Sequence, residues 1–265
     1  MVRIHMVQHP GCEPQVKAPS GTCLENNDGG GCSGCKASHK RKFMQSCGDY
    51  VSTSDFKLHE NKQIRFWGEY EMDSLYQSNP RPPYNRDNPS AVHLPIFPSV
   101  RASILNTDPL VFGDHFYYSC CRFPAKPLVQ DDVVLFGTYY PTPVGNRFFL
   151  DTFFVVRQRI STSILRKSNK LFDLCTPSTS PLHNHVYEAS MYYENKDYYS
   201  FVPCRPLNDF FGRPQINSYN ALKKLSSTKD VFDEVVRQVK AQGFDLGVRM
   251  NIPPKKVPAT FPSIP

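Results

Sequence analysis

Residues 132–159, DVVLFGTYYPTPVGNRFFLDTFFVVRQR, restrict the fold of this chain more than any other stretch. Two runs of β-branched and aromatic residues flank a turn rich in Pro, Gly and Asn, which is the pattern of a β-hairpin. The arms, 133–136 and 148–156, are apolar almost without a break. A half-solvated strand alternates, so a strand without alternation is covered on both faces, by a closed barrel or by helices. The core of the molecule is therefore expected at this hairpin.

Other segments extend the reading. Residues 2–9 form a first strand with Val2, Ile4 and Met6 on one face, ended by His9, Pro10 and Gly11. Residues 116–122, 186–193 and 198–203 read as further strands, and 79–98, rich in Pro and Asn, as an irregular surface connection. One helix is well signalled, over 228–242. Ser227 or Thr228 caps it, Asp230 suits its positive end, Val231, Phe232, Val235, Val236 and Val239 form a stripe, and Gly243 stops it. The expected fold is α+β, mainly antiparallel β, with a PUA-like barrel core and a few packed helices. A chain of 265 residues fits one domain, 1–265, with a Cys/Gly-rich loop at about 12–47 and a Pro-rich tail at about 252–265.

Residues 63–72, QIRFWGEYEM, alternate strictly. As a strand they place Ile64, Phe66, Tyr70 and Met72 on one face and Arg65, Trp67, Glu69 and Glu71 on the other. Side chains two apart on one face are separated by roughly 7 Å. The single Trp of the chain thus stands beside two carboxylates and an Arg. An aromatic plate among hydrogen-bonding groups suits a flat ligand such as a nucleobase, held by stacking and identified by its edges. Glu69 and Glu71 are also placed as a general acid and base. The same alternation equally describes the solvent-facing side of an antiparallel strand.

Three further groups carry chemistry in the sequence. His39, Lys40, Arg41 and Lys42 form a basic run in a chain of net charge +7, fitting phosphates or simply a solvated face. Cys32 and Cys35 have the two-residue spacing of a zinc half-site, which Cys12, Cys23, His39 or Cys47 would complete, ordering a loop otherwise without apolar periodicity. Free thiols in a Gly-rich loop are the plainer alternative. Asp151 interrupts the apolar run FFLDTFFVV, so its carboxylate needs an ionic or hydrogen-bonding partner, whether it serves a ligand or the scaffold.

Several classes lose support. There is no GxxxxGK[ST], no GxGxxG after a strand, no HExxH and no GxSxG, which argues against P-loop hydrolases, dinucleotide enzymes, zincins and serine hydrolases. No apolar run reaches the roughly 18 residues of a membrane span. The first residues, MVRIHMVQHPGCEP, are polar where a secretory leader is apolar, and the 9 cysteines cannot all pair. The expectation is a cytoplasmic protein without membrane contact.

The blocks FWGEYEMDS, VVLFGT and FFLDTFFVV, with HPG at 9–11 and HKRKF at 39–43, resemble motifs of an uncharacterised bacterial protein family. The acidic opening DDVVLF, returning through a long hairpin, is similar to PUA-like barrels of the EVE and ASCH kind. That resemblance implies a module holding modified or flipped bases, of the sort used in bacterial defence or nucleic-acid modification. The leading expectation is a nucleotide- or base-binding module with Trp67 stacking, Glu69 and Glu71 reading polar edges, Arg65 and Asp151 also at the ligand, and Lys40, Arg41 and Lys42 on phosphates. The alternatives are an enzyme acting on a nucleotide or nucleic acid through Glu69 and Glu71, and a protein–protein interaction module.

Overall fold

A computed structural model describes residues 2–8, 20–23, 41–78, 89, 91–101, 106–119, 127–142, 145–176, 184–207, 212–217 and 219–255. In chain order the elements are β1 (Ile4–Gln8), β2 (Ser20–Cys23), β3 (Arg41–Val51), β4 (Leu58–Glu69), β5 (Ser74–Ser78), β6 (Ala91–Pro95) and β7 (Tyr117–Tyr118). The long hairpin β8 (Val133–Thr142) and β9 (Gly145–Ser161) comes next, then α1 (Thr162–Ser168) and α2 (Lys170–Cys175). The chain continues through β10 (His185–Ala189), β11 (Val202–Pro206), β12 (Gln215–Ile216), α3 (Tyr219–Leu222), α4 (Thr228–Ala241) and β13 (Asp245–Met250). No helix among the described residues is long and apolar enough to cross a membrane.

The strands form two mostly antiparallel sheets, so the class is α+β. One runs β1-β8-β9-β10-β7 with β12 also on β9, and the other runs β13-β11-β4-β3-β6-β5-β2. Parallel pairing occurs between β1 and β8 and between β3 and β6. In the second sheet β13 pairs with β11 along one edge and with β3 along the other, so β3, β4, β11 and β13 are hydrogen-bonded in a circuit.

The β8–β9 hairpin is central, as its unbroken apolar arms require. Val134, Phe136, Phe154 and Val156 belong to one core cluster, with Met44, Ile64 and Phe66 of the second sheet. Val133, Leu135, Phe153 and Val155 belong to another, under α4. There the stripe Val231, Phe232, Val235, Val236 and Val239 packs down, with Phe232 lying 5.9 Å from Phe153 between ring centres. Each fully buried side chain of this size contributes about 1.5–3 kcal/mol relative to exposure. Ser227 caps α4 and Asp230 completes a capping box.

Several expectations change. Residues 41–47, read as loop, open the 11-residue strand β3, and 20–23 form β2, while 12–19 and 24–40 lie outside the described residues. Within 79–98, Ala91–Pro95 is a wholly buried strand between β3 and β5. Its neighbouring Pro and Asn residues mask it, because only five residues carry the strand signal. Of the strand expected over 116–122, Tyr117–Tyr118 forms β7 among the described residues, and 120–122, with Cys120 and Cys121, lie outside them. That expected over 186–193 ends at Ala189, where the register shifts in a bulge. The strand over 63–72 starts earlier, at Leu58, and stops at Glu69. Of the tail, 252–255 is described and carries no regular structure.

Candidate functional site

Residues 41–46 of β3 and 64–69 of β4 are buried on both faces. Alternation sends Met44, Ile64 and Phe66 into the apolar core, and sends Arg41, Phe43 and Gln45 to the other side with Arg65, Trp67 and Glu69. The register sets Arg41 opposite Glu69, Phe43 opposite Trp67 and Gln45 opposite Arg65. The Phe43 and Trp67 rings are 5.3 Å apart, and Arg65 Nε donates to Gln45 Oε1 at 3.1 Å. None of these six residues is more than 3% exposed. The solvent-facing reading of this strand face therefore fails: the face is dry, and its charges need partners inside the protein.

The first sheet supplies them. Phe136 pairs with Thr152 and Gly137 with Leu150, leaving Asp151 as the extra residue of a β-bulge in β9. Bulges break alternation and re-aim a side chain. A Cβ on Gly137 would collide with the Phe149 carbonyl oxygen and come within 2.7 Å of the Phe148 ring, so only glycine fits opposite this bulge. Asp151 Oδ2 lies 3.1 Å from Arg41 Nε, and its Oδ1 lies 3.7 Å from Arg213 Nε. Arg213, just before β12, lays its guanidinium 3.7 Å over the Trp67 ring and donates to Thr138 Oγ1 at 3.2 Å. Arg41 Nη1 stands 3.8 Å from Glu69 Oε2.

These contacts leave bonding capacity unused. Of the ion pairs, Arg41 Nε to Asp151 lies within hydrogen-bond distance at 3.1 Å, whereas Arg41 to Glu69 and Arg213 to Asp151, at 3.8 and 3.7 Å, are too long for a hydrogen bond. Among the described residues, Arg41 Nε, Nη1 and Nη2, both oxygens of Asp151 and Trp67 Nε1 lack a hydrogen-bond partner. Buried ions cost several kcal/mol each unless well paired, and native proteins rarely leave such donors and acceptors unmet.

The two glutamates are separated by the end of β4. Glu69 Oε1 accepts from the Asp108 amide at 3.3 Å, and Glu71, beyond the strand, accepts from the Asn106 amide at 2.6 Å. The Glu71 amide donates in turn to Thr107 Oγ1 at 3.1 Å, and Asp108 accepts from the Ser119 amide at 2.7 Å. Both carboxylates thus hold the 106–108 segment, which leads into the cis Asp108–Pro109 bond, instead of standing side by side on one strand face.

The basic run is not a surface patch where it is described. Arg41 and Lys42 are buried and point to opposite faces of β3, with Lys42 Nζ 3.5 Å from the Met72 carbonyl. Lys40, His39, Cys12, Cys32 and Cys35 lie outside the described residues, and of Cys23 only the backbone is described, in β2. Cys47, in β3, is partly exposed and accepts from Gln63 Nε2 at 2.8 Å. No group of three metal-ligating side chains is assembled among the described residues. Asp114 and His115 line a cavity of about 310 Å³ with Tyr193 and Arg249. Its charges are mutually engaged: Asp49 accepts from Tyr193 Oη at 2.7 Å, and Arg249 lies 3.6 Å from Asp49 and 3.7 Å from Asp114.

The sequence reading missed Arg213, Gln45 and the 106–108 segment. Gln45 had a usable signal, two residues after Phe43 in an alternating run. Arg213 had none, because its place over Trp67 depends on the pairing of β12 with β9. Comparison with protein-family models, curated proteins and solved structures finds no match for this chain, so the site is read from its own geometry.

Proposed function

We propose that the chain is a recognition module for a nucleobase-type ligand, held at the buried face formed by Arg41, Trp67, Asp151 and Arg213. The observation that carries this reading is the hydrogen-bonding capacity that the ion-paired Arg41 and Asp151, both essentially unexposed, leave unfilled among the described residues, beside an indole already stacked with a guanidinium. Donors, acceptors and a flat cation–π stack are the elements with which proteins hold an unstacked base. The circuit of β3, β4, β11 and β13 supports a PUA-like core for such a module. Phosphate contacts by an exposed basic run play little part in the reading, because Arg41 and Lys42 are buried.

Trp67 is the only tryptophan of the chain, so its fluorescence reports on this face alone. Titration with the common mononucleotides and with short single strands is expected to change Trp67 emission saturably. The affinity is expected to vary little between 50 and 200 mM salt, since buried charges are poorly screened and few phosphate counterions are released. Emission unchanged by every nucleotide, with no heat in calorimetry, overturns the proposal. A steep salt slope moves the ligand from the buried face to surface charges.

A further inference from the structure

The cavity of about 310 Å³ beside β13 is lined by Asp114, His115, Met191, Tyr193, Glu194 and Arg249. We infer that it is a binding site for a free α-amino acid with an apolar side chain. It shares no lining residue with the Trp67 face and does not rest on base recognition there. Backbone irregularities bring its groups together. The register of β13 slips at Val248, so that Gly247 faces Tyr50 and Arg249 faces Asp49. In β9 the register against β10 slips at Arg157, between the Gln158–Glu188 and Val156–Ala189 pairs. Gly113, at a φ of +101°, donates its amide to the Met250 carbonyl at 2.8 Å and delivers Asp114 and His115 next in the chain. Bulges re-aim side chains and concentrate next to sites.

The charges of this cavity are within reach of a ligand. Arg249 lies 3.6 Å from Asp49 and 3.7 Å from Asp114, both beyond hydrogen-bonding distance. The two oxygens of Asp49 are filled by the Asn61 amide and the Tyr193 hydroxyl, each at 2.7 Å. The side chains of Arg249 and Asp114 are 39% and 84% exposed, and an ion pair so exposed is weak enough to be exchanged for better contacts. A simple anion would meet Asp114 and Glu194 there, and a simple cation would meet Arg249. A ligand carrying both signs side by side suits both. The ammonium and carboxylate of an α-amino acid sit on one carbon, which matches a carboxylate and a guanidinium 3.7 Å apart. The ligand carboxylate takes the guanidinium fork. Its ammonium takes Asp114, with Glu194, held by Arg157 at 2.6 Å, as a second acceptor. Buried Met191 and the ring of Tyr193, pinned through its hydroxyl on Asp49, form the apolar wall for the side chain. The volume is at the small end of ligand pockets, which suits a single amino acid.

Calorimetry of the full chain with leucine, methionine and phenylalanine tests the site. Each is titrated beside its amide, which lacks the carboxylate, and its N-acetyl derivative, which lacks the ammonium. At least one free amino acid is expected to bind saturably, and about tenfold more tightly than either derivative, since each derivative gives up charge-assisted hydrogen bonds. Arg249→Gln should abolish the advantage over the amide, and Asp114→Asn the advantage over the N-acetyl derivative. Trp67 emission unchanged from wild type shows that both variants are folded. Should Arg249→Gln fail to fold, the amides decide on the wild type alone. No heat from any of the three amino acids overturns the site and has no bearing on nucleotides at the Trp67 face. Amides that bind as tightly as the free amino acids overturn it too, because Arg249 then holds no carboxylate. N-acetyl derivatives that bind as tightly, or preferences that survive both substitutions, remove Asp114 and Arg249 from recognition and the proposal with them.

Discussion

The apolar arms of the β8–β9 hairpin and residues 41–46 and 64–69 of the β3–β4 hairpin are buried on two faces, but they reach that state with opposite materials. The first fills its faces with Val, Leu and Phe, so each side chain is satisfied by whatever apolar surface meets it. The second buries Arg41, Gln45, Arg65 and Glu69 on one face, so each needs a particular partner at a particular place. Apolar burial is non-directional and roughly proportional to area, whereas a buried charge is stabilised only by geometry. The two hairpins meet at Asp151, the one charged residue of the apolar arm, and that meeting point is the candidate site.

The largest expected effect tests this difference in tolerance. Asp151→Ala removes the counter-charge of Arg41 and Arg213 and should cost about 3–5 kcal/mol in urea unfolding. Leu135→Met, which conserves volume in the neighbouring apolar strand, should cost less than about 1.5 kcal/mol. Equal losses would erase the distinction between the two hairpins. Next in size is Gly137→Ala, where the new Cβ meets the Phe149 carbonyl and the Phe148 ring and forces the bulge open. A loss of about 2–3 kcal/mol is expected, accompanied by weakened ligand binding because Asp151 is re-aimed. Stability lost without any change in Trp67 response would show that the bulge does not position Asp151.

This contrast also explains what could be read in advance. The β8–β9 hairpin was legible because an unbroken apolar run has one meaning, burial on both faces. Helix α4 was legible because its stripe and its cap are local. The face Arg65, Trp67 and Glu69 was found as a face, but alternation of apolar and charged residues is also how a strand beside solvent is written. Nothing local tells a dry charged face from a wet one; the difference lies in Asp151 and Arg213, 82 and 144 positions after Glu69 by subtraction of residue numbers. The same ambiguity hid β3, whose basic start reads as a solvated run until Glu69 and Asp151 are placed against it.

A third effect is read through pH. His93 in β6 is wholly buried, its Nδ1 3.0 Å from Ser74 Oγ, and burial, with Lys42 nearby adding to it, holds its pKa well below the usual histidine value. The folded protein keeps His93 neutral, while the unfolded chain takes up a proton near pH 6.5. Stability should therefore be full above that pH and fall by about 1.4 kcal/mol per unit below it, until the folded pKa is reached. Urea midpoints of wild type and His93→Gln between pH 7 and 5 measure it. An acid limb as steep in the variant as in wild type would assign the loss to other groups and leave His93 out of the polar side's energetics.

The smallest effect belongs to the legible side of the molecule and serves as its control. Ser227 accepts from the Asp230 amide, and Asp230 answers by accepting from Ser227, so Ser227→Ala should cost about 1 kcal/mol of stability. The cap sits at the N-terminal end of α4, whereas Gln242, just past the other end, accepts from the Gln215 amide and donates to its carbonyl. Gln215 is two residues from Arg213, so only fraying of that far end would disturb the guanidinium over Trp67. Loss of the cap should therefore lower the unfolding midpoint and leave nucleotide affinity within about twofold, a change of about 0.4 kcal/mol or less. If affinity falls in step with stability, α4 transmits to Arg213 along its whole length. The apolar and polar regions would then form one cooperative unit instead of two that meet at Asp151.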